Sequence, residues 1–151
     1  MRFLNLASVF FLLAVFTSTA LAEPGPYDPT RDPAKDVGDA VAAANKANKR
    51  VLLEIGRSTC GWTRALDQLM STDQPIADVL AAHYVLVRVN RSSDNPNAAF
   101  LSRLPNVPGV PHLFVLGKDG KVLVSQGTDI FEQGKGHDPA KLLAFLLKWA
   151  E

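Results

Sequence analysis

The sequence predicts an α/β fold in which helices cover both faces of a small mixed sheet, and three patterns carry that expectation. Val51-Leu52-Leu53-Glu54-Ile55 and Tyr84 to Asn90 (YVLVRVN) are strand-like runs separated by helical sequence. A strand–helix–strand order implies a crossover, which pairs the strands in parallel with a right-handed connection. Next, His112 to Leu116 and Lys121 to Ser125 flank Gly117-Lys118-Asp119-Gly120, the turn of an antiparallel hairpin. Finally, helical sequence stands before the first strand, between the strands and after the hairpin, enough for both faces of the sheet.

Taken in order, residues 1–22 read as a leader rather than as fold. Arg2 supplies a minimal basic start, Phe3 to Phe16 are mostly apolar, and Ala20-Leu21-Ala22 is an A-x-A cleavage pattern. The apolar run is short for a membrane span, and no cysteine follows the cut to carry a lipid. A cleaved signal peptide and a periplasmic or secreted chain starting at Glu23 are expected, against the alternative of an uncleaved anchor. Residues 23–33 (EPGPYDPTRDP) hold four prolines and a glycine and read as an extended, loosely packed arm. The remainder, 34–151, is long enough for one domain and too short for two.

Within that domain, Val37, Ala40, Val41 and Ala44 recur at helical spacing between Ala34 and Lys49. Val51 to Ile55, ended by Gly56, is a buried strand. A second helix opens at Cys60-Gly61-Trp62-Thr63 and runs to about Met70; Ser71 to Asp73 with Pro75 restart it to about Ala82. Polar residues Arg91 to Pro96 form a loop, and Asn97 to Leu104 a short helix. After the hairpin, Gly127 to His137 is a loop. Asp138 is an N-cap with Pro139 at the first helical position, and Leu142, Leu143, Phe145, Leu146 and Trp149 pack the last helix.

Charge excludes some functions. Lys and Arg number 16 against 15 Asp and Glu, and loss of Arg2 with the leader makes the two signs equal. That balance offers no footprint for nucleic acid or an anionic membrane surface. Cysteine usage is more telling, because Cys60 is the only cysteine. Export places a chain where structural cysteines pair, so an unpartnered one implies either a free thiol or an intermolecular disulfide. A disulfide-linked dimer through Cys60 is one form the latter could take.

The run Ile55-Gly56-Arg57-Ser58-Thr59-Cys60-Gly61-Trp62 places that cysteine between a strand end and a helix start, and Val110-Pro111 opens the strand that begins the hairpin. Together they resemble the thioredoxin fold, over nearly all of residues 23–151. The similarity extends to thioredoxin-like proteins whose active site reads S-T-C-x-W-C after Ile-Gly. Arg64-Ala65-Leu66, YVLVRVN and VPGVPHLFVLGKDGKVL follow the same pattern. Thr63 stands where the second cysteine of that motif belongs. The motif is specific for the fold rather than for the activity.

The chemistry follows position by position. The thiolate is the nucleophile, and a helix N-terminus, with its free N–H groups, favours it at Cys60. The other reading of a lone cysteine is an inert small hydrophobe. Thr63 cannot resolve a mixed disulfide, since a hydroxyl is far too weak a nucleophile, but it can donate a hydrogen bond to the Cys60 thiolate. In this the chain resembles monothiol glutaredoxins and the anterior gradient proteins. The resemblance implies that Glu54 is the buried acid assisting proton transfer, its pKa raised by burial. It also implies a cis Pro111 facing the cysteine, and a Val110 backbone that pairs with a bound client strand. Gly61 and Trp62 flank the thiol, Trp62 as a cap or an apolar contact for clients. His112 replaces the usual threonine; it either serves the thiolate or is a partly exposed strand-end residue. His83 and His137 read as solvated surface residues.

The expected function is thiol–disulfide exchange or client capture through a mixed disulfide at Cys60. Its partners would be protein thiols or disulfides, with glutathione or another client thiol resolving the bond. No cofactor is expected, and Cys60 with His112 gives too few ligands for a metal. The alternatives are a non-catalytic binding module or chaperone using Trp62 and the Pro111 groove, and a thiol peroxidase, suggested only by C-G-x-T.

Overall fold

The computed structural model describes residues 25–150; the expected leader, 1–22, lies outside them. The first helix, α1 (Pro33–Ala47), starts where Asp32 accepts hydrogen bonds from the Ala34 and Lys35 N–H groups. It ends at Asn48, whose left-handed backbone (φ 54°) closes the last turn. Strand β1 (Arg50–Gly56) leads to α2 (Gly61–Thr72), α3 (Gln74–His83) and β2 (Tyr84–Asn90). Asp73 both ends α2 and caps α3 by accepting from the Ile76 N–H, with Pro75 in the first turn. After α4 (Ala98–Leu101) come β3 (His112–Leu116) and β4 (Val122–Gly127), then α5 (Pro139–Lys148), capped by Asp138.

The strands lie in the order β2-β1-β3-β4. β1 pairs in parallel with β2, setting Glu54 against Arg88, and antiparallel with β3, setting Glu54 against Leu113. β3 and β4 form the hairpin, with a register shift at Val115 and Leu116. The expected crossover and hairpin are both present.

β1 is central and covered on both faces, so its sequence is almost continuously apolar. Val51, Leu53 and Ile55 join Ala40 and Ala44 of α1, Val87, Val89, Phe114 and Leu116 in one core. Leu52 joins Leu66, Met70, Ile76, Leu80, Leu113, Val115, Leu142 and Leu146 in the other. Side chains alternate along a strand, so Glu54 belongs to the face of Leu52, the one packed by α2, α3 and α5. Trp149 packs against that second core, as its sequence position implies, while its carbonyl accepts a hydrogen bond from Arg50 at 2.8 Å.

Three details differ from the sequence expectation. The short helix is a single turn and dissolves into bends after Leu101. Residues 127–137 are not plain loop: a 3-10 turn (Thr128–Phe131) buries Phe131, and β5 (Glu132–Gln133) pairs with β6 (Gly136–His137). In the described part of the arm most residues are exposed, but Tyr27 is packed, at only 4% exposed. An aromatic side chain with an apolar hollow available gains more from burial than the short segment loses in freedom.

Candidate functional site

Cys60 is the N-cap residue of α2, with an extended backbone and no capping side-chain hydrogen bond. The turn before it is closed by its own N–H donating to the Arg57 carbonyl at 3.1 Å. Arg64 reaches back to the Ser58 carbonyl at 2.9 Å, tying the loop to the first turn of α2. The half-buried thiol donates to the Val110 carbonyl, 3.6 Å from the sulfur. The Val110–Pro111 bond is cis, in accord with the resemblance. Thr128 donates its hydroxyl to the Pro111 carbonyl at 2.9 Å, so the 3-10 turn holds this segment against the thiol.

Partial burial pushes the Cys60 thiol up, but other groups outweigh it and leave its pKa below the ordinary thiol value. They are the Thr63 N–H, the Thr63 hydroxyl, the Trp62 N–H and the Arg57 charge. Each favours the anion. Thr63 is fully buried and its Oγ1 has no hydrogen-bond partner. A charged sulfur beside it is the acceptor this hydroxyl lacks. Gly61, next in sequence, is exposed and opens that side of the thiol to solvent.

Glu54 lies below, with 0% exposure and neither oxygen hydrogen-bonded. Burial, aided by the nearby Asp67 charge, pushes its pKa up to about 8, while Tyr27 and Arg88 pull the other way. Arg88 Nε is 3.6 Å from Glu54 Oε2 but 2.6 Å from Asp67 Oδ1, so its stronger partner is Asp67. The strand-end alternative for Glu54, a solvated carboxylate, is excluded by this burial.

A groove of about 340 Å³ runs beside the thiol, lined by Trp62, Val110, Pro111, His112, Asp129 and Glu132 among others. His112 is not the partly exposed strand-end residue that one of the two expectations made it. It is 4% exposed, its Nε2 is 2.8 Å from Ser125 Oγ, and its ring lies against Phe114. Burial lowers its pKa, against a weaker opposing pull from Asp129, so the ring favours the neutral form. His137 is also not solvated. It is buried, its two ring nitrogens lack partners, and Trp62 stands edge-on to it with centroids 5.6 Å apart. His83, at the end of α3, is half-buried.

The structure thus brings Cys60, Thr63, Val110 and Pro111 together, places Trp62 and His112 along one groove, and sets Glu54 underneath. Sequence reading passed over Tyr27, Asp67, Arg88 and Thr128, and misread His137 as solvated. Arg88 had a signal, since it is the one charge in an apolar strand and sits at the same register position as Glu54. Tyr27 had a weaker one, as the lone aromatic in a proline-rich arm.

A family model described as thioredoxin-like matches residues 32–118. None of the curated proteins matches the chain. Among solved structures, a disulphide isomerase from Xylella fastidiosa Temecula1 superposes with a TM-score of 0.71 at 26% identity, covering 83% of this chain and 97% of that one. A thioredoxin from Thermus thermophilus gives 0.55 at 21% identity, covering 74% and 81%. A DsbH oxidoreductase gives 0.56 at 21% identity, with the same two coverages. The last two likenesses bear on the fold alone.

Proposed function

The chain belongs to the thioredoxin-like family, and from that premise we propose that it is an exported monothiol protein acting in thiol–disulfide exchange or client capture through Cys60. The observation that carries the reading is the thiol itself. It stands at the start of α2, against the Val110 carbonyl, with its pKa lowered and Thr63 in the position of a second cysteine.

The Cys60 thiolate attacks one sulfur of a client disulfide. A Cys60–client bond forms, the client's own S–S bond breaks, and its other sulfur leaves as a thiolate that takes up a proton. Thr63 cannot attack this mixed disulfide. An external thiolate, glutathione or a second client thiol, attacks the client sulfur instead; a new disulfide forms there and Cys60 leaves as thiolate. Glu54 is suited to accept or return the protons of these steps because its pKa lies near neutrality. The groove along Trp62, Val110 and Pro111 offers an extended client its contacts. The 26% identity to a disulphide isomerase supports the same class of chemistry. A leader over residues 1–22 fits an oxidising compartment, where such clients occur.

The test is trapping. The mature protein is purified from its native compartment without reductant, and whatever is disulfide-bonded to Cys60 is identified. Client proteins or glutathione are expected, together with alkylation whose midpoint lies below that of a free cysteine. An empty thiol that alkylates slowly and with an unshifted midpoint would favour a binding module working through the groove. Stoichiometric oxidation of Cys60 to sulfenic acid by dilute peroxide would favour peroxidase chemistry.

A further inference from the structure

Tyr27 precedes α1, yet its ring is carried into the site. A β-carbon built at Gly56 would stand 2.6 Å from Tyr27 Cε1 and 2.7 Å from Thr63 Cγ2. The glycine is therefore what lets the arm's aromatic ring and the first turn of α2 meet over the end of β1. Tyr27 Oη, both Glu54 oxygens and Thr63 Oγ1 are all buried there without a hydrogen-bond partner. Buried tyrosine hydroxyls and carboxylates normally have partners, so this many orphans in one place calls for a reason.

The groups facing Glu54 are few. Asp67 comes from α2, Arg88 from β2 and Tyr27 from the arm, while the residue opposite on β3 is the uncharged Leu113. Arg88 is committed at 2.6 Å to Asp67. The Tyr27 hydroxyl is within interaction range of the carboxylate, though not closed onto it in standard geometry. A hydroxyl donor stabilises a carboxylate more than a neutral carboxyl, and most strongly out of water.

We propose that Tyr27 is a positioning residue of the thiol site. Its hydroxyl closes onto Glu54 when that carboxylate is charged, and so sets the pH at which the acid below Cys60 changes state. The arm becomes part of the site, and without it Glu54 would stay protonated to higher pH. The use of this arrangement rests on the thiol-exchange reading above, but its test does not.

The full chain, labelled with carbon-13 at its glutamate carboxyls, is titrated by NMR, and the Glu54 signal is identified by its loss in Glu54→Gln. Tyr27→Phe keeps the ring against Gly56 and removes only the donor. It is expected to raise the Glu54 inflection by about one pH unit or more. A folded Tyr27→Phe chain with an unchanged or lowered inflection would overturn the proposal. As a second measurement, 3-fluorotyrosine supplies a stronger donor of nearly the same shape and should lower the inflection; no shift there also overturns it. Tyr84 is replaced too, but its hydroxyl donates to the Leu146 carbonyl and it is not among the groups facing Glu54. Cys60 exchange is read separately by alkylation. A thiol that fails to exchange sinks the functional reading, and a carboxyl that fails to respond sinks this one.

Discussion

At Cys60 two opposed effects meet, burial that disfavours the thiolate and donors that favour it, and the donors prevail. Thr63 supplies two of them, its N–H and its hydroxyl, and only the second depends on the side chain. Thr63→Val keeps the shape and the N–H while deleting the hydroxyl. The Cys60 midpoint should rise and alkylation at neutral pH should slow several-fold, measured as a rate profile against pH. At acidic pH, where Cys60 is protonated and the hydroxyl has no charged acceptor, stability should hold or increase, by about 1 kcal/mol, because a buried hydroxyl without a partner is lost. Thr63→Ser should restore the reactivity. An unchanged profile in Thr63→Val would assign the effect to the backbone alone.

The C-terminal end of β1 is the element on which the site is assembled. Gly56 there has no room for a methyl group, since Tyr27 and Thr63 both stand within 2.7 Å of where it would lie. Gly56→Ala should cost about 2–3 kcal/mol in urea unfolding and leave Tyr27 more exposed to quenchers. A cost below about 0.5 kcal/mol would mean that the arm moves aside freely. Much of this element was legible: the apolar run VLLEI, the burial of Glu54 within it, and the thiol after it follow from pattern and resemblance. The partners of Glu54 were not. Arg88 and Asp67 reach it only through the strand register and the face of α2, and Tyr27 only through a packing decision made by an arm with no periodicity to read. His137 was misread for a similar reason, because a two-residue strand leaves no alternation to detect.

Over the whole molecule, the buried titratable groups give stability a pH dependence with two signs. Glu54 has an ordinary pKa of 4.5 and a folded value of about 8. Between those limits the native state holds a proton that the unfolded chain has released, so stability falls as pH rises through this window. Glu54→Gln removes the fall. Its gain over the wild type should be small below pH 4.5, reach roughly 3 kcal/mol at pH 7 and level off above about 8, measured by urea titrations across that range. A gain independent of pH would count against a buried ionisable Glu54. His112 and His137 act oppositely. Burial lowers both from 6.5, so the unfolded chain binds protons the native state refuses, and stability is lost as pH falls through that region. The strand and helix order behind all this was readable, because periodicity and turns are local. The balance of charges was not, because it depends on which distant side chains share a dry interior.

If Cys60 exchanges disulfides as proposed, the buried Thr63, standing where the resembled motif has its second cysteine, has a kinetic consequence. In a paired site the resolving sulfur is tethered, and its effective concentration is fixed by the fold. Here no tethered thiol exists, because the chain has no other cysteine. Any bond made at Cys60 must wait for a separate molecule, and its lifetime scales inversely with how much of that molecule is present. On the proposed exchange reading, the duration of the captured state is thereby handed to the surroundings, and the protein would behave as a clock whose rate the ambient thiol supply sets.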